Sequence, residues 1–262
     1  MARGFTLIEL VVVMVLLALL ALGTSRYLGT GARMFSDAAE REQILSAGRF
    51  AAERLVRELR QAAPNSVRIA TAAPWHCLEF TPLLSSGLYQ QAPIAPDSGS
   101  QLLLLHANWQ ANFVGLPFSI YPRQAADIYQ QGGATILLSG TLAPDSDANP
   151  GTHQFNLSNS HSFPAGSPEQ RFFILADSPV SFCYNAISRE LRRFNGYAFN
   201  AAQPLPPAGG GVLMAKQLAE VRFSQQAVSL TRNNVVNLLL RFASQSGDDL
   251  FFNYEVHLYN VP

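Results

Sequence analysis

One carboxylate stands where a carboxylate is expensive. Glu9 lies inside the run 5–22, which only it and Thr6 interrupt with a polar side chain. An ionised group in such a segment costs on the order of 2.5–3.5 kcal/mol on insertion scales, and a charge kept at that cost has a partner and a job. Cys77 and Cys183 are the only cysteines, which excludes a disulfide-dense scaffold and any four-thiolate metal centre. His76, His106, His153, His161 and His257 form no HExxH or HxH and stand at no ligand spacing from a cysteine, so packed or surface histidines are expected. His76 beside Cys77 is a poor nucleophile pair, because successive residues of a strand face opposite sides. The chain carries neither a GxSxG elbow nor a GxxxxGK[ST] phosphate cradle. Asp145, Asp147 and Asn149 alternate like the ligands of a calcium loop. The turn glycine of such a loop would fall on Pro150 and its closing glutamate on Asn156, so a solvated turn is expected. Asn156-Leu157-Ser158 is a formal glycosylation sequon, and Arg189, Arg192 and Arg193 read as the exposed face of a strand. No catalytic residue, cofactor site or metal ligand set is expected.

Several elements must position the few residues that remain. With 262 residues, 48% hydrophobic and 14% charged, the chain is a folded protein of one large domain or two small ones. Eighteen basic and eighteen acidic side chains cancel, so no overall field draws it to nucleic acid, and no nucleic-acid partner is expected. The run 5–22 would span about 27 Å as a helix, close to the hydrocarbon thickness of a bilayer. Arg3 just before it keeps the N-terminus cytoplasmic and sends the rest across. A secretory signal peptide cut after the small-residue triplet Ala21-Leu22-Gly23 is the competing reading, and Glu9 argues against it.

Beyond the apolar run, Phe35, Ala38, Ala39, Leu45, Ala52, Leu55, Val56, Leu59 and Ala63 recur at helical spacing between charged residues. Glu53 with Arg57, and Arg54 with Glu58, are i,i+4 pairs on what reads as a solvated face. Pro64-Asn65 ends this helix, which would be about 90 Å long from residue 5. Gly23, Gly29, Gly31 and Gly48 are its weak points, at about 1 kcal/mol each relative to alanine. The remainder reads as short strands at 67–71, 76–81, 102–106, 135–139, 172–176, 180–184, 190–194, 220–224, 228–231, 235–243 and 250–259, the last two forming a hairpin. The stretches 90–100, 145–167 and 203–211 read as irregular surface loops. Each cysteine sits in an expected strand in an oxidising compartment, so a Cys77–Cys183 disulfide is expected, with two buried thiols as the alternative. Closing a loop on the order of 100 residues is worth about 4.7 kcal/mol in the chain-entropy model.

Gly4-Phe5-Thr6-Leu7-Ile8-Glu9, followed by Leu10-Val11-Val12-Val13, resembles the class III signal of type IV pilins and pseudopilins. The resemblance implies that prepilin peptidase cuts between Gly4 and Phe5, that Phe5 is then N-methylated, and that Glu9 serves subunit assembly. In the assembled polymer, Glu9 would neutralise the new α-amine of a neighbouring subunit. It also implies an α+β, type IV pilin-like fold: a leader at 1–4, a transmembrane N-terminal helix segment at 5–25, an amphipathic stalk at 26–63 and a β-rich periplasmic head at 64–262. The segments 60–68, 76–80, 181–184 and 254–262 are similar to minor pilins of the mannose-sensitive haemagglutinin (MSHA) pilus, in the neighbourhood of PilW-like pilins and J-type pseudopilins of type II secretion. A head of this size suits a tip or initiating complex more than a main filament subunit. The implied partners are prepilin peptidase, other minor and major pilins through the N-terminal helix, an inner-membrane assembly platform and the inner membrane itself. The implied location is the bacterial inner membrane in a single pass, then the pilus. A J-like pseudopilin, and a pilus-tip adhesin whose head recognises carbohydrate, are the alternatives. The chain departs from many pilins in having no helix-kinking proline before Pro64.

Overall fold

The computed structural model describes residues 6–106, 109–143, 151–225, 234–243 and 249–258. Its first element is α1 (Leu7–Leu59), which runs unbroken through Gly23, Gly29 and Gly31. About 53 residues of helix reach roughly 80 Å. Three hydroxyls in its first half bond back to the preceding turn. Thr24 Oγ1 donates to the Leu20 carbonyl at 2.9 Å, Ser25 Oγ to Leu22 at 3.1 Å and Thr30 Oγ1 to Arg26 at 3.0 Å, so these three need no outside partner. The helix stops at Leu59, earlier than Pro64 alone suggested. Asn65 then adopts a left-handed backbone (φ 59), a conformation asparagine tolerates, and its Nδ2 donates to the Pro122 carbonyl at 2.9 Å.

Cover divides α1 in two. Every residue from 6 to 39 is exposed, whereas Ile44, Gly48, Ala51, Ala52, Leu55, Val56 and Leu59 are buried at three- and four-residue spacing. The expected apolar face therefore needs correcting at its start: Phe35, Ala38 and Ala39 are exposed, because the head first reaches the helix at Glu40 and buries its apolar stripe only from Ile44 onward.

After the helix, β1 (Arg68–Ala72) and β2 (Trp75–Phe80) form an antiparallel hairpin. The chain then leaves to build a separate antiparallel sheet from β3 (Leu83–Gln91), β4 (Gly99–Leu105), β5 (Pro117–Ile120), β6 (Thr135–Leu137), β7 (Gly140–Leu142), β8 (Thr152–His161) and β9 (Arg171–Leu175), with the one-turn helix α2 (Ala126–Tyr129) between β5 and β6. The order across this sheet is β6-β5-β9-β3-β4-β8-β7. The chain returns to lay β10 (Val180–Asn185) against β2 and adds β11 (Glu190–Asn195) and β12 (Val212–Ala215), completing a five-stranded sheet β1-β2-β10-β11-β12. β13 (Leu218–Gln225), β14 (Asn234–Phe242) and β15 (Leu250–Leu258) form a third, antiparallel sheet. The seven-stranded lobe is thus an insertion between two neighbouring strands of another sheet. Cys77 and Cys183 face each other directly across β2 and β10 and form a disulfide that closes its base.

The cores follow the same division. The buried stripe of α1 packs with Leu78, Phe80, Phe182, Leu191, Leu238, Leu240, Phe242 and Val256 of the five- and three-stranded sheets. The inserted lobe has its own core around Leu102, Leu104, Phe118, Phe155, Phe163 and Phe172. A small cluster of Ala63, Ile128, Tyr129, Phe173 and Leu175 joins the two. This is the expected α+β, pilin-like architecture: a long apolar N-terminal helix and a β-rich head. Several strands were not expected, namely β3, β5, β7 and β12, and β8 occupies a stretch read as irregular. The expected strand at 228–231 and most of the acidic loop at 145–151 lie outside the described residues.

Candidate functional site

Thr6 caps α1 and Glu9 occupies its third helical position, the spacing of a capping box. The Glu9 N–H donates to the Thr6 carbonyl at 3.1 Å and approaches Thr6 Oγ1 at 3.4 Å. A carboxylate here also faces the positive end of the helix dipole, which offsets part of its cost in an apolar setting. The Leu, Ile, Val and Phe side chains of the run 5–22 contribute about 0.3–0.6 kcal/mol each to insertion and together outweigh one acidic group. The cap was legible in the sequence as Thr-x-x-Glu, a signal distinct from the apolar run itself. Glu9 is exposed, as are the apolar side chains after it, from Leu10 through Leu22. Gly4 and Phe5 lie outside the described residues.

The docked half of α1 is held by shape and by ion pairing to the head. A Cβ added to Gly48 would overlap the Phe252 ring and press on Phe242, so this glycine, read from sequence as a weak point, is where the sheet comes closest to the helix. Glu58 pairs with Arg54 at 2.9 Å, as its spacing suggested, and also with Arg193 Nε of β11 at 2.8 Å. That face is therefore partly closed by the head. Arg192 pairs with Glu190 at 2.9 Å, so Arg192 and Arg193 are both engaged in ion pairs within the head instead of forming an open basic spot.

At the base of the inserted lobe sits a polar network that the sequence reading missed. Glu79 is fully buried, pairs with Arg68 across the β1–β2 hairpin, and accepts from Tyr197 Oη at 2.8 Å. Arg68 donates to the carbonyls of Ala201 and Asn200 at 2.8 and 2.9 Å, and its guanidinium lies 3.6 Å from the Tyr129 ring centre. Tyr129 Oη in turn donates to the Ser66 carbonyl at 3.0 Å. Burial, with the Glu79 charge adding to it, raises both the Tyr129 and Tyr197 phenols, which stay protonated as donors. A buried charge is tolerated when paired and hydrogen-bonded in this way, and the network ties the spine-side sheet, α2 and the loop after β11 together. Glutamate inside the apolar strand Trp75–Phe80 was the available signal.

The histidines are packed or at the surface. His76 Nε2 accepts the Phe223 N–H at 3.0 Å and its ring stacks on Phe223; burial lowers its pKa. His161 meets the Phe163 ring edge-on at 4.6 Å, and His257 pairs with Glu255 at 3.1 Å. His106 lines a cleft of about 560 Å³ in the inserted lobe, with Nε2 2.6 Å from Ser85 Oγ. Trp109, Phe113 and Phe172 surround its ring, and burial and then the charge of His153 lower its pKa, so it is neutral at pH 7. Among the described residues that line this cleft there is no aspartate or glutamate. Among the described residues no three His, Cys, Asp or Glu side chains cluster at metal-binding distance.

Residues 1–25 match the family model described as the prokaryotic N-terminal methylation motif. No curated protein and no solved structure matches the chain. The chain therefore carries a type IV pilin-like, prepilin-type processing signal on a pilin-like α+β fold, which implies prepilin peptidase as its processing enzyme. Motif and helix together are consistent with a membrane-anchored, pilus-associated structural protein.

Proposed function

We propose that this protein is a minor pilin of an MSHA-like type IV pilus, similar in role to the minor pilin MshO, acting in pilus assembly, initiation or the tip complex. The observation that carries this reading is the division of α1: a bare apolar half beginning in the methylation motif continues without a break into a half docked under a large head. Prepilin peptidase removes the leader 1–4 by cutting between Gly4 and Phe5, and Phe5 is N-methylated. Segment 5–25 then holds the chain in the inner membrane, with the stalk 26–63 and head 64–262 on the periplasmic side. Glu9 carries assembly by meeting the methylated α-amine of a neighbouring pilin, which turns a buried-charge penalty into a contact that sets register. The assembly platform draws the subunit out of the membrane alongside other minor and major pilins.

The test is the intact mass and first residue of the protein from cells with and without active prepilin peptidase. A chain starting at N-methyl-Phe5 only in the peptidase-positive strain is expected. A chain starting at Thr24 in both strains would make residues 1–23 an ordinary signal peptide and end the pilin reading. In a deletion strain, loss of pili is expected; normal pili that no longer attach would favour the tip adhesin, and loss of protein secretion with pili intact would favour a J-like pseudopilin.

A further inference from the structure

The two sheets that pack on the docked half of α1 are joined to each other through side chains. Among the described residues β13 pairs with β14 alone. Its other side meets β2 and β10, where His76 and Tyr184 stand directly opposite one another in the register. Each of the two makes one bond to the main chain of β13. Tyr184 Oη donates to the Leu218 carbonyl at 3.0 Å, and His76 Nε2 accepts the Phe223 N–H at 3.0 Å. Leu218 opens the strand and Phe223 lies near its end, so β13 is held at both ends.

The two anchors differ in chemistry. A phenol donates throughout the neutral and acidic range, and burial raises the Tyr184 phenol further. A backbone N–H can only donate, so the ring nitrogen that meets it must be bare. His76 therefore carries its single proton on Nδ1, which is directed at Thr71 Oγ1. A second proton would fill Nε2 and set two donors head to head, which breaks the bond to Phe223. Among the described residues Thr71 of β1, Tyr184 of β10 and Phe223 of β13 face the ring, and of these only Tyr184 titrates. On β13, Arg222 alternates with Phe223 onto the outer face and pairs with Glu220, which also pairs with Arg241 of β14. Burial, opposed by the Phe223 N–H, lowers the His76 pKa, so the bare Nε2 is the form at neutral pH.

We propose that His76 is an acid-opened latch between the two sheets: at neutral pH it holds the Phe223 end of β13 against the five-stranded sheet, and on protonation it releases that end while Tyr184 keeps the Leu218 end in place. The strand so freed belongs to the sheet whose Phe242 and Phe252 rings meet α1 at Gly48, so acid loosens the head beside its spine. The latch lies in the head and is independent of how the N-terminal helix is processed.

The test follows amide hydrogen exchange by NMR in full-length protein in nanodiscs, isotope-labelled at phenylalanine, between about pH 7.5 and pH 5. After correction for the intrinsic pH dependence of exchange, protection of the Phe223 amide should fall about tenfold over this range. The Phe182 amide, within the five-stranded sheet, should keep its protection. In His76→Gln, whose Oε1 accepts at either pH, the Phe223 amide should stay protected throughout. If that variant does not fold, the ring-nitrogen shifts of His76 in the unaltered protein serve instead: the proton should sit on Nδ1 at neutral pH, and loss of Phe223 protection should follow protonation of Nε2. The proposal is overturned by Phe223 protection that does not change with pH, by the same fall in His76→Gln, by an equal fall at Phe182, which would be loosening of the whole head, or by Nε2 carrying the proton at neutral pH.

Discussion

The two halves of α1 share one helix and one continuous backbone ladder, yet their stability has different sources. Residues 44–59 bury Leu55 and Leu59 completely against the protein's own sheets, while residues 6–39 cover nothing and are covered by nothing in the chain. Apart from Glu9, residues 7–22 of the first half are apolar on all sides, as a segment surrounded by lipid or by other helices must be; the second half is apolar on one stripe only. A helix is thus no guide to what stabilises it. The pattern around its circumference is.

The largest effect that separates the halves is a charge placed in each. Leu55→Asp puts an unpaired carboxylate in the seam between helix and sheet and should cost the head at least about 4 kcal/mol, seen as loss of its cooperative melting transition. Leu16→Asp should leave that transition where it is and reduce retention in the membrane. Equal effects on head melting would contradict the division.

Removing the cross-link comes next. Cys77→Ser with Cys183→Ser opens a loop with a sequence separation of 106 residues and should lower head stability by about 4.7 kcal/mol in the chain-entropy model, or 2–5 kcal/mol on experience with small domains. Membrane insertion should be untouched. A melting temperature unchanged under oxidising conditions would show that the lobe's base is held by packing and the Arg68–Glu79 network alone.

Alanine at two glycines of the same helix should act with opposite signs. Gly31→Ala enters open space and gains helix propensity, about 1 kcal/mol. Gly48→Ala makes the same local gain but drives a methyl into the Phe252 ring, for a net cost of about 1–2 kcal/mol by chemical denaturation. Stabilisation by Gly48→Ala would mean that the helix is seated less closely than described.

The smallest effect is on acidification. His76 and His106 both have pKa values lowered by burial below the 6.5 of a free histidine. The unfolded chain therefore takes up protons first as the pH falls. Head stability should be full above about pH 6.5, decline below it, and level off once the pH passes the lowered folded values. Melting temperatures between pH 7.5 and 5 would show the decline, and a His76→Gln, His106→Gln double variant should flatten it. The spine's free half carries no histidine and should contribute nothing.

The elements legible in the sequence were those whose pattern is long. The helix announced itself over tens of residues, the β14–β15 hairpin through two long apolar arms, and the disulfide through two cysteines in strands. β3 was hidden by Ser85-Ser86-Gly87, a run typical of turns, and is a strand because β9 supplies its partners. β8 reads as a loop through Asn156, Ser158, Asn159 and Ser160, although His153, Phe155 and Leu157 alternate into the core, and pairing with β4 outweighed the turn residues. Where α1 stops being bare depends on how far the head reaches along it. That depends on tertiary packing, which no local spacing encodes, and so Phe35, Ala38 and Ala39 looked the same as Leu55. Glu79 and its partners come from β1, β2, α2 and the loop after β11, a convergence visible only once the chain is folded.

The insertion at β2 and β10 also makes the head modular. Phe80 and Val180 stand opposite one another, so the two ends of the inserted lobe leave the spine-side sheet at adjacent points and a short turn would join them directly. Lengthening, shrinking or exchanging the intervening stretch changes the closure entropy only slowly with length and leaves the seam with the helix alone. Such a graft point lets one part of the chain vary while the long helix and the sheets docked on it stay constant.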